Sequence, residues 1–194
     1  MNRATCRALA AIALAFALGA CSNGDDLPVN VASLRESLPE MQRAATQWRT
    51  DAYMVHASVE LLSGNPYRSQ ATGYFQSPST DFEGVLIYLE QDGSIAAEVV
   101  PHEIQVRQVD PITGDDWKLD AQEALAGGLT AEGRQYLEEN SDSQCSFMYL
   151  ERDVPGSPER VVWRVGLGGC LLDPPFQSIV IDANTGEIVR QRTY

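Results

Sequence analysis

The chain has 194 residues and a formal charge of −13, from 14 Lys or Arg against 27 Asp or Glu. An acid surplus of this size repels phosphate backbones and anionic lipid, which removes nucleic acid from the candidate partners. The length suits one substantial domain or two small ones.

Arg3 and Arg7 precede Ala8 to Ala20, an uncharged run of Ala, Leu, Ile, Phe and one Gly. As a helix the run measures about 20 Å, and a bilayer core takes about 20 apolar residues. A basic head, a short apolar middle and small residues at the end predict an export signal over 1–20. Its last residues with the next, Leu18-Gly19-Ala20-Cys21, resemble a bacterial lipobox. That resemblance implies cleavage before Cys21, acylation of its thiol and a permanent tether to the lipid bilayer; one chain alone would hold only marginally. Ser22 in place of Asp implies, on the same resemblance, an outer-membrane address facing the periplasm. Losing two arginines and no acid leaves a mature chain of 174 residues at −15. Residues 21–33 read as the lipidated Cys and a polar tether.

Two further thiols, Cys145 and Cys170, stay in the folded part. In an oxidising compartment they are expected to form a disulfide between strand-like runs. A catalytic thiol is the alternative, and there is no Cys-x-x-Cys.

Residues 34–105 form the first expected unit. Leu34, Leu38, Met41, Ala45 and Trp48 recur at helical spacing, and Ser37 with Glu40 has capping-box spacing, which predicts a helix over Pro39 to Arg49. From Tyr53 to Leu61 the period becomes two, with Tyr53, Val55, Ala57, Val59 and Leu61 on the buried side. Tyr67 to Gln76 reads as a second strand. Gly84 to Glu90 and Ser94 to Val100 flank Gln91-Asp92-Gly93, a hairpin signal.

Residues 106–194 form the second. After a Pro-containing connector, Asp120 and Glu123 have capping-box spacing ahead of a short helix ended by Gly127-Gly128, and Thr130 opens another to about Asn140. Strands are expected at Gln144 to Arg152, Arg160 to Leu172 and Gln177 to Asp182. Asp182-Ala183-Asn184-Thr185-Gly186 turns the chain into a last strand, Glu187 to Arg192. The fold class is therefore α+β, with helices packed on one face of antiparallel β-meanders in two similar units.

The helix Leu119 to Ala126, the strand Val161-Val162-Trp163-Arg164-Val165 and the hairpin from Val180 to Val189 resemble a PepSY-type domain over about 117–192. The resemblance implies binding of a protein or peptide partner, restraint of a peptidase included, and transfers no catalytic set. Gly127-Gly128 and the two cysteines depart from its pattern.

No nucleophile elbow, His-Glu-x-x-His pair or phosphate cradle occurs, so no catalytic residue, metal or cofactor is assigned. His56 and His102 read as solvated. Asp182, Asn184 and Gly186 open like a calcium loop, but no later ligands follow. Asp110, Asp115, Asp116 and Asp120 read as a solvated lead into a helix N-terminus, with a cation or acid/base site as the alternative. Trp48 and Trp163 are expected in the core. Trp117 sits among charges and is the best candidate for a contact surface, with Asp115 and Asp116 beside it. The expected function is a non-catalytic, membrane-anchored binding module. An envelope hydrolase using the Asp cluster and a structural assembly factor are the alternatives.

Overall fold

A computed structural model describes residues 27, 31–61, 71–90, 92–101, 110–140, 146–153, 156–157, 159–168 and 176–194. Cys21, Cys145, Cys170, His102 and the export signal lie outside them. The elements run α1 (Leu34–Trp48), β1 (Tyr53–Glu60), β2 (Ala71–Gln76), β3 (Glu83–Leu89), β4 (Ile95–Pro101), α2 (Ala121–Gly128), α3 (Ala131–Glu139), β5 (Phe147–Arg152), β6 (Val161–Leu167), β7 (Gln177–Asp182) and β8 (Ile188–Thr193).

All eight described strands belong to one antiparallel sheet, in the order β4-β3-β2-β1-β5-β6-β7-β8. Each expected unit supplies four consecutive strands as a meander. The first strands of the two meanders, β1 and β5, pair at the centre with Ala57 opposite Leu150 and Val59 opposite Met148. The hydrophobic side of the sheet is therefore continuous across both halves. This is the α+β class expected from the periodicities.

Cross-strand rows assign the two faces. Gly73, Ala57, Leu150, Trp163 and Ile181 share one row across β2, β1, β5, β6 and β7. That side carries the helices. A Cβ on Gly73 would meet Met41 of α1, and one on Gly128 of α2 would collide with Ile181 at 2.3 Å. A Cβ on Gly133 of α3 would meet Leu167 of β6. Leu34, Met41, Ala45, Phe75, Ile87, Leu125, Leu137, Met148 and Ile179 bury themselves in the layer between. The opposite face carries His56, Ser58, Tyr74, Tyr88, Tyr149, Arg164, Val180, Arg190 and Arg192. Among the described residues no helix packs there.

Two local expectations are corrected. α1 begins at Leu34 and not at Pro39, because Ser33 caps it through Glu36 N. Pro39, which has no N–H to give to the Arg35 carbonyl, lies inside the helix. In β1 the register shifts between Met54 and His56. The bulge puts Met54 on the helix side, so strict alternation from Tyr53 fails there and Met54 is buried. The glycine pair ends α2 as expected: the helix includes both and is capped at Leu129, whose N–H donates to Leu125.

Candidate functional site

The segment from Ile112 to Asp120 crosses between the two meanders, and its polar groups hold the halves together. Ile112 N donates to Met54 O, while Lys118 N and Leu119 N both donate to Ala183 O at 2.9 Å. The Asp182 carboxylate accepts from Asn184 N and Thr185 N, and Gly186 closes the turn at φ +76°. A left-handed φ costs a residue with a Cβ about 1–2 kcal/mol, which explains glycine there. Asn184 Nδ2 reaches back to Asp116 O, and Trp163 Nε1 donates to Leu119 O at 2.8 Å. The residues that carry the PepSY resemblance thus form one hydrogen-bonded unit: the turn, the tryptophan strand and the lead into α2. Its roles here are backbone satisfaction and packing.

This geometry corrects the expectation for Trp117. Its side chain is 1% exposed and meets Trp163 edge to face, with centroids 6.1 Å apart. Pinning of Lys118 and Leu119 to Ala183 lays the segment flat on the sheet. Trp117 then turns inward, while its neighbour Lys118 stays exposed. The Arg35 guanidinium covers the indole at 4.5 Å and donates to the Trp117 and Lys118 carbonyls. Trp117 offers no surface to a partner in this arrangement.

The aspartates are dispersed in role. Asp115 is exposed. Asp116 accepts from the Thr113 backbone N–H and hydroxyl and pairs with Arg152 at 3.4 Å. Burial pushes its carboxyl up, but the Thr113 and Arg152 donors outweigh that and hold it below the usual range. Asp120 serves two helices. It makes the capping box of α2 with Glu123, and it accepts from Ser33 Oγ at 2.5 Å, Leu34 N at 3.2 Å and Arg35 N at 3.4 Å. Among the described residues no group of three or more His, Cys, Asp or Glu is placed to hold a metal ion.

Trp48 is half-buried against the core and Trp163 is fully buried. His56 differs from the solvated side chain expected of it. It is half-buried and lies against Tyr74, with centroids 5.2 Å apart. Burial lowers its pKa, and Glu151 partly opposes that.

A feature that sequence reading missed lies on the helix-free face at the β8 edge. Arg164, Ser178, Val180, Arg190, Arg192 and Tyr194 line a cavity of 240 Å³. Rows across the sheet bring them together: Arg164, Val180 and Arg190 in one, Ser178 and Arg192 in the next. Arg164 bonds Glu151 at 2.6 Å and Arg190 bonds the buried Asp153. Among the described residues Arg192 has no ion pair. Three of the 14 Lys and Arg residues therefore converge on one small cavity of a strongly acidic chain. Alternation of Arg190 and Arg192 in the last strand was the available signal, and it reads equally well as an exposed edge.

Compared with family models, curated proteins and solved structures, the chain matches none.

Proposed function

We propose that this chain is an envelope lipoprotein, anchored through acylated Cys21, whose α+β domain is a non-catalytic module binding a protein or peptide. The lipobox-like Leu18-Gly19-Ala20-Cys21 supports the anchor, and the PepSY-like pattern over about 117–192 supports the binding role. The observation that carries the binding role is the one-sided sheet. All three described helices lie on one face, and among the described residues β4 and β8 each pair on one side only. A free sheet edge presents a row of backbone donors and acceptors, the group used when an extended segment adds as a further strand. The other carboxylate reading, an acid/base or cation site, has less support, because Asp116 and Asp120 spend their oxygens on a turn and two helix caps.

Chemical crosslinking in intact envelopes, with mass spectrometry of the captured species, tests the binding role. The expected result is the same protein partner recovered under several growth conditions. Failure to recover any reproducible partner contradicts it.

A further inference from the structure

We propose that β8 is the docking edge for an extended acidic peptide, with carboxylates at every second residue facing Arg190 and Arg192. The inference rests on the binding role above and names the chemistry of the partner.

The bonding phase of β8 sets the geometry. Tyr194 N donates to Phe176 O, which makes that pair a hydrogen-bonded one. Bonded and non-bonded pairs alternate in an antiparallel ladder. Arg192 opposite Ser178 and Arg190 opposite Val180 therefore turn their backbone groups inward to β7. Gln191 and Thr193 turn theirs outward, and both residues are exposed. An added antiparallel strand would bond to Gln191 and Thr193. Arg190 and Arg192 would then occupy the non-bonded positions, where facing Cα atoms approach to about 4.5 Å and side chains lie closest. Every second residue of the incoming strand points to the same face, so acids two apart reach both guanidiniums.

Charge decides the occupant. Arg164 and Arg190 already hold Glu151 and Asp153, and Arg192 has no such partner among the described residues. The cavity between them takes a carboxylate, for which the planar guanidinium fork is suited. As a whole a −13 chain disfavours an acidic ligand, so the arginine row confers position as well as attraction. The other edge, β4, places Glu98 on this face and carries no cation. An acidic strand thus discriminates β8 from β4.

The test uses the full chain in detergent and a fluorescent peptide of alternating Thr and Glu with blocked ends, read by anisotropy. Binding is expected at low salt, weakened by about tenfold in Arg192→Glu and partly regained in Arg192→Lys, which restores the charge but not the fork. The same composition with its Glu residues adjacent, or with N-methyl groups on alternate amides, is expected to bind poorly. Unchanged affinity in Arg192→Glu, absence of binding, or preference for a Lys-containing peptide overturns the proposal. A photocrosslinker at Gln191, compared with one at Val99 on β4, separates the two levels of the claim. Capture of an envelope partner at Val99 alone overturns the β8 assignment and leaves the binding module standing. Capture of a second copy of this chain at Gln191 overturns the acidic-peptide occupant.

Discussion

Burial of His56 against Tyr74 on the helix-free face makes its imidazole a group that couples this fold to mildly acidic pH. Its folded pKa lies below the ordinary 6.5, because burial disfavours the cation more than Glu151 favours it. The folded state then binds fewer protons than the unfolded one. Its contribution to stability is full above pH 6.5 and is lost as pH falls through the lowered folded value. Thermal unfolding followed from about pH 7.5 to about pH 5 is expected to decline less steeply in His56→Gln than in the native chain. Equal slopes would contradict this assignment. Asp116 acts in the same direction but lower: its contribution is present above 3.8 and disappears as pH falls through its depressed folded pKa. The two windows are separable. The setting of Asp116 is partly local, through Thr113, whereas that of His56 was not legible from neighbours in sequence. His56 alternates like a surface residue, and its partner Tyr74 arrives from the next strand.

At the scale of elements, local signals read well and distant ones did not. The capping box at Asp120 and Glu123 is encoded within four residues and is present in α2 as expected. The start of α1 depends on that same Asp120, 86 residues away from Leu34, so spacing around Pro39 pointed too late. Asp120→Ala is expected to lose caps on two helices at once. At about 1 kcal/mol per cap, the loss is about 2 kcal/mol in chemical denaturation. A loss no larger than a single cap would show that the contact to α1 contributes nothing. The Asp182 to Gly186 turn was legible because its side chains bond their own backbone. Inward rotation of Trp117 was not, since it follows from two bonds to Ala183 rather than from the charges on either side. The bulge in β1 also escaped, because one inserted residue keeps the apolar content while shifting the phase.

For the whole molecule, two helix-plus-meander units were legible from the change of period from 3.6 to 2, but their union was not. Pairing of β1 with β5 joins strands that are remote in the chain, and no periodicity specifies which edges meet. Once joined, the sheet buries one side under the three described helices, and the start of α1 is fastened to Asp120 of the second half. The arginine cavity belongs to this scale as well, because it exists only where β6, β7 and β8 are side by side. In the proposed function a lipid anchor at Cys21 holds a binding sheet above the membrane. The most direct measurement is fractionation of cells carrying the native chain or Cys21→Ala. The account predicts that the native chain pellets with membranes and that Cys21→Ala remains in the soluble envelope fraction, folded and with its partner crosslinks depleted at the membrane. Co-sedimentation of both with membranes, or solubility of both, would contradict it.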